Sequence, residues 1–141
     1  MTLKEKLSEL KMLNNKIYKH KDLISYFEKK SNSITGCNYD KEVVDGTKSL
    51  EAPFIKWIYR KIDVEKILEE DIQRLKIGIK EINSLIEKIE NYDYKNVLIS
   101  RYLLFMTFDE ISSIIHYSAS SVFRFHREGL IELEKEYKKK Y

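Results

Sequence analysis

The chain has 141 residues, a mass of 16.9 kDa, 35% charged and 43% hydrophobic side chains, and a formal net charge of +3. That charge density, with no run near the roughly 18 apolar residues a spanning helix needs, excludes a membrane-embedded chain, and the steady recurrence of apolar residues excludes full disorder. Four Gly and one Pro are too little punctuation for a turn-rich sandwich or barrel, so the composition predicts an all-α fold.

Residues 2–30 read as one helix. Leu3, Leu7, Leu10, Leu13, Ile17, Ile24 and Phe27 recur at steps of three, four or their sums, with His20 filling the gap in the stripe, and lysines and glutamates occupy the other face. Thr2 and Glu5 have the spacing of a capping box. Residues 31–52 lose the pattern and hold two of the four glycines among many Ser, Asn, Asp and Thr, which predicts a connecting loop longer than is usual in a compact domain. Pro53 then sits where a second helix can open, since its missing N–H costs nothing at the first helical position.

That second helix is predicted to run to Glu90, about 57 Å at 1.5 Å per residue. From Leu68 through Ile72, Leu75, Ile79, Ile82, Ile86 and Ile89 the steps alternate four and three, a heptad seam. Gly78 interrupts it at a cost of about 1 kcal/mol. Two helices with one apolar stripe each are expected to fold as a long N-terminal antiparallel hairpin, coiled-coil-like, over residues 1–90. The spare seam would be buried against a second copy, so this region is read as the oligomerisation element of a dimer.

Asn91–Asp93 breaks the pattern, and three shorter helical segments follow at 94–105, 108–115 and 119–137, a second domain over 94–141. Thr107 and Glu110 form a capping box; Phe108, Ile111 and Ile115 give the next helix one apolar face. His116-Tyr117-Ser118 is a three-residue turn with Ser118 as the next cap, and Val122, Phe125, Leu130 and Leu133 give a new stripe. A short helix, a tight turn and a second helix with a small, polar first turn predict a helix-turn-helix within a trihelical domain. Its outward residues at the entry to the last helix, Ser118, Ala119, Ser120, Ser121, Phe123, Arg124 and Arg127, are the candidate DNA-binding set. The serines suit phosphate or base contacts, a helix N-terminus favours phosphate, and Arg124 and Arg127 are the long donors.

Residues 94–133 resemble region four of bacterial sigma factors through Arg101-Tyr102, Thr107-Phe108-Asp109-Glu110-Ile111, Tyr117-Ser118, Val122, Arg124, His126 and Leu130. The match is closer to phage late-gene transcriptional regulators of the ArpU/RinA kind, which also carry an N-terminal helical hairpin and a Ser-rich connector like Ser31–Thr35. The resemblance implies sequence-specific binding of double-stranded DNA, with contact to RNA polymerase as a further option. Three positions depart from the family pattern: Ser112 follows Glu-Ile, His116 replaces the turn Gly, and Gly129 replaces a packing Ala. His116 would have to adopt a left-handed backbone or shift the turn.

Charge is spread rather than focused. Residues 94–141 carry eight Lys/Arg against six Asp/Glu, and residues 1–30 carry eight Lys against four acids; the lysines of the first helix read as a solvated face. Arg101 is expected to pair with Asp109 or Glu110. Cys37 is alone, and His20, Cys37, His116 and His126 never fall at metal-ligand spacing, so neither a disulfide nor a metal site is expected. No Gly-rich phosphate loop, nucleophile elbow or HExxH is present, which argues against an enzyme and against a cofactor. The expectation is a cytoplasmic, dimeric, DNA-binding transcriptional regulator of phage or mobile-element origin with no membrane partner. The rival readings are a small terminase-like DNA-packaging recognition protein and a polymerase-docking adaptor that does not read DNA.

Overall fold

A computed structural model describes the backbone of residues 1–42 and 47–141, and the side chains of residues 1–31 and 55–141. The chain is all-helical, and no strand occurs among the described residues. The elements are α1 (Leu3–Glu42), α2 (Thr47–Ile86), α3 (Tyr92–Leu98), a π-helical turn over Ile99–Leu103, α4 (Phe108–Ile115) and α5 (Ala119–Lys140). No helix among the described residues is long and apolar enough to cross a membrane.

The connector expected over residues 31–52 is corrected where it is described. α1 runs on to Glu42 and α2 already begins at Thr47, so Pro53 lies inside α2 instead of opening it. Helix propensity explains the first part: Ser and Asn lose well under 1 kcal/mol each against Ala, and the Ser31 hydroxyl donates back to the Phe27 carbonyl at 2.9 Å, a local bond that a helix accommodates. Residues 43–46, in the middle of the expected loop, and the side chain of Cys37 lie outside the described residues.

The chain divides into two compact units, one formed by Met1–Met12 with Leu75–Tyr141, the other by Leu13–Arg74. This differs from the expected boundary between residues 90 and 94, and burial gives the reason. Leu3, Leu7 and Leu10 of α1 are buried in one core with Ile82, Leu85 and Ile86 of α2, Ile89, Leu98 of α3, and Leu133 and Tyr137 of α5. The opening turns of α1 therefore complete the body that carries the C-terminal helices. The C-terminal part of the heptad seam, Ile82, Ile86 and Ile89, is consumed within the chain and is not spare. Gly78 permits this approach: a Cβ there would collide with Leu10 Cδ2. Lys6 and Glu81 form an ion pair alongside.

In the unit Leu13–Arg74, Leu13, Ile17 and Phe27 of α1 are buried. The Phe27 ring lies 5.6 Å from that of Trp57, and Lys61 Nζ is 3.0 Å from Glu28. Asp71 is a buried carboxylate, 2% exposed, with Lys16 Nζ at 3.7 Å and His20 Nδ1 at 3.3 Å. Residue order thus rises along α1 as it falls along α2.

A second small core, Val97, Ile111, Val122 and Phe125, ties α3, α4 and α5 together. α3 is capped by Asn91, whose side chain accepts from the amides of Asp93 and Tyr94. Where a continuous helix over 94–105 is expected, the chain passes instead into the π-helical turn, with Leu104 N–H on the Ile99 carbonyl and Phe105 at φ 57°. At Gly129 a Cβ would sit 3.3 Å from Leu98 and from Tyr94 Cβ, so the missing side chain lets α3 lie close on α5.

Candidate functional site

The exposed entry to α5 is built by three local devices. At the start of α4, Thr107 accepts from the Glu110 amide at 3.2 Å while Glu110 Oε1 accepts from the Thr107 amide, the reciprocal box expected from the sequence. α4 ends on His116, at φ 60° and ψ 33°, the left-handed conformation demanded of the residue in the Gly position of the turn. Two residues later Ser118 caps α5, accepting from the Ser121 amide at 3.3 Å. The Ser112 hydroxyl donates to the Tyr117 carbonyl across this turn, so the departure at Ser112 supplies a bond that a purely apolar residue could not.

These devices fix the rotation of α5. Val122 and Phe125 are buried against Val97 and Ile111, which leaves the intervening positions outward. Ser118, Ala119, Ser120, Phe123, Arg124 and Arg127 are exposed, and Ser121 is half-buried. All seven residues of the predicted set share the first turns of one helix. Ser118 Oγ lies 3.2 Å from Ser120 Oγ and 3.0 Å from Ser121 Oγ. No acidic residue stands in the first turn of α5, so no side chain of that turn offsets the positive end of its dipole, and its leading amides, apart from that of Ser121 which Ser118 caps, lack partners within the helix.

The aromatic surroundings separate the two arginines. Arg124 lies over the Phe125 ring, 5.2 Å from its centroid, while Arg127 projects freely. Phe123 is 50% exposed, its ring 4.8 Å from Phe108; it both packs on α4 and keeps one face open. Tyr117, absent from the predicted set, is 41% exposed beside the helix entry, with its edge on Phe125 at 5.0 Å and its hydroxyl 3.4 Å from Asp93. Its place at the last turn residue before the cap was the available signal.

Behind this face, Arg101 does not pair with Asp109 or Glu110 as expected. Its Nη1 donates to the Met106 carbonyl at 3.0 Å, and its guanidinium lies 4.2 Å from the Phe108 ring centroid. The π-helical turn redirects the backbone so that a carbonyl, not a carboxylate, meets the guanidinium. His126 Nε2 is 2.6 Å from the Tyr102 hydroxyl. Burial, and then the Arg101 charge, lower the His126 pKa below the usual imidazole value, and burial raises that of Tyr102. Tyr94 donates to Glu128, and that bond to a carboxylate raises the phenol pKa. Among the described residues, no group of three His, Cys, Asp or Glu side chains is placed to hold a metal ion.

This geometry can offer hydroxyls, helix-terminal amides and two guanidinium groups to a polyanion from one convex helix face. The chain belongs to the family described as protein of unknown function (DUF1492), whose pattern matches residues 33–134. No curated protein and no solved structure gives a significant match.

Proposed function

We propose that this member of the DUF1492 family is a sequence-specific DNA-binding transcriptional regulator of the sigma-region-four-like kind found in phages, working in the cytoplasm together with RNA polymerase; the resemblance carried by residues 94–133 supports this reading. In this reading α4 and α5 are a helix-turn-helix, and α5 is the helix that enters the major groove, about 12 Å wide. The carrying observation is the left-handed His116 between two capped helices. It holds α4 against the back of α5 and leaves Ser120, Arg124 and Arg127 facing outward together.

α1 and α2 act as an antiparallel, coiled-coil-like hairpin that brings two copies together. Ile55, Tyr59 and Ile62 support that part, standing exposed at steps of four and three on α2. A symmetric pair would read two half-sites.

The test is selection from a randomised duplex pool with the full chain, followed by titration of the enriched duplex and a scrambled one at rising salt. Enrichment of a defined motif, with affinity falling linearly in log salt, is the expected result. A pool that stays random, with no salt-sensitive binding, would sink the reading.

A further inference from the structure

The unit Met1–Met12 with Leu75–Tyr141 contains a cavity of about 550 Å³ between the opening turns of α1, the π-helical turn, the start of α4 and the middle of α5. That volume lies within the range of small-molecule sites, roughly 300–1,000 Å³. Its lining is mostly apolar and includes Leu7, Phe105, Phe108 and Leu130, with Lys4, Lys11 and Arg101 among its polar members. Among the described residues of the lining Glu134 is the only carboxylate, and Lys138 Nζ lies 4.0 Å from it. None of the three cations joins an ion pair among the described residues.

Arg101 is held ready. The Met106 carbonyl and the Phe108 ring fix its guanidinium, yet one hydrogen bond leaves most of its five N–H donors available. The wall behind it contains two features that recur at binding sites, a π-helical turn and a non-glycine residue, Phe105, at positive φ. An apolar body with one anionic head matches this lining: the apolar side chains take the body, and the guanidinium takes the carboxylate through paired N–H bonds.

We infer that this cavity binds a small amphipathic carboxylate, with its apolar body on Phe105, Phe108 and Leu130 and its carboxylate at Arg101 among Lys4 and Lys11. The site is separate from the outward face of α5, and its Phe108 wall is the residue on which Phe123 rests.

The experiment uses the full chain with anilinonaphthalene sulfonate as fluorescent reporter, and with decanoate and decyltrimethylammonium as competitors. Saturable uptake at one site per chain is expected, displaced by decanoate and not by the cation. Ser8→Trp, which places a bulky ring at an exposed position of the lining, should abolish uptake. Lys4→Glu with Lys11→Glu, and separately Arg101→Gln, should each weaken decanoate about tenfold or more. Far-UV circular dichroism and a cooperative melt confirm that each variant is folded. Competition by the cation equal to that by decanoate would overturn the inference, as would uptake unchanged by Ser8→Trp or by charge reversal. So would a cavity closed by a second copy, seen as no uptake together with a mass that drops in Ser8→Trp.

Discussion

The Tyr102 hydroxyl and His126 Nε2 lie 2.6 Å apart, and the two rings stack at 27° with centroids 5.6 Å apart. The contact joins the π-helical turn to α5 and keeps the imidazole in a half-buried setting where protonation is disfavoured.

That setting has a pH consequence. The folded pKa of His126 is depressed, so the unfolded chain binds a proton that the folded chain resists. Stability is full above the unfolded value near 6.5 and is lost progressively as pH falls from there towards the folded pKa. Gln at this position can still meet the Tyr102 hydroxyl but does not titrate. Urea denaturation at about pH 7.5 and about pH 5.5 should show a larger loss for the native chain than for His126→Gln. Equal losses would mean that the histidine carries none of the pH dependence.

His116 tests the turn. At φ 60° a side chain with a Cβ is strained and Gly is not. His116→Gly should therefore change stability by no more than about 1 kcal/mol, relief of strain being set against the entropy of the unfolded chain. His116→Val should cost at least about 1 kcal/mol, because a branched residue tolerates this region worst. Chemical denaturation checks both, and Val tolerated as well as Gly would show that the turn is not left-handed in solution.

In the proposed DNA-binding reading, Arg124 and Arg127 are expected to divide base reading from backbone anchoring. Arg124 lies nearer the α5 N-terminus and is oriented over Phe125, which suits a base edge; Arg127, a turn later, suits backbone phosphate. Arg124→Ala should weaken a selected duplex by about 1–3 kcal/mol more than a scrambled one. Arg127→Ala should weaken both alike and lower the salt slope by about one. Titration of both duplexes at several salt concentrations distinguishes them. If neither variant changes binding, α5 is not the reading helix, and a head that docks on polymerase becomes the better account.

Gly129 reports on how closely α3 packs on α5. Ala there gains about 1 kcal/mol of helix propensity but meets Leu98 and Tyr94 Cβ at 3.3 Å, so Gly129→Ala should stay within about 1 kcal/mol of the native stability. Gly129→Val adds volume with no room to accept it and should cost about 1–3 kcal/mol. A Val variant of native stability would place the two helices further apart.

The α4–turn–α5 segment was legible in the sequence because its boundaries are written in side chains that act on their own neighbours. The Thr107–Glu110 box, the Ser118 cap and the odd residue His116 each specify a local conformation. The all-helical fold was legible from the scarcity of Gly and Pro and from apolar residues spaced three and four apart. The partner of each apolar stripe was not, since Leu3, Leu7 and Leu10 meet Ile82, Leu133 and Tyr137, and periodicity carries no information about which distant stripe completes a core. The π-helical turn at Ile99–Leu103 has no repeat of its own to detect, so Arg101 was assigned a carboxylate partner that the redirected backbone withholds. The Ser- and Asn-rich stretch after Phe27 misled because such residues weaken a helix only slightly.

The burial of Leu3, Leu7 and Leu10 against α5 bears on how the chain is made. The Tyr137 hydroxyl donates to the Met1 carbonyl, a contact across 136 positions. Synthesis proceeds from the N-terminal to the C-terminal side, so these leucines leave the ribosome before their partners on α5. Until then the core that Leu3, Leu7 and Leu10 share with Ile82, Leu85 and Ile86 lacks its α5 side, and apolar surface left open in this way is what chaperones hold and aggregation exploits. A ribosome stalled before Leu133 would therefore display a nascent chain whose first helix has no finished core to join.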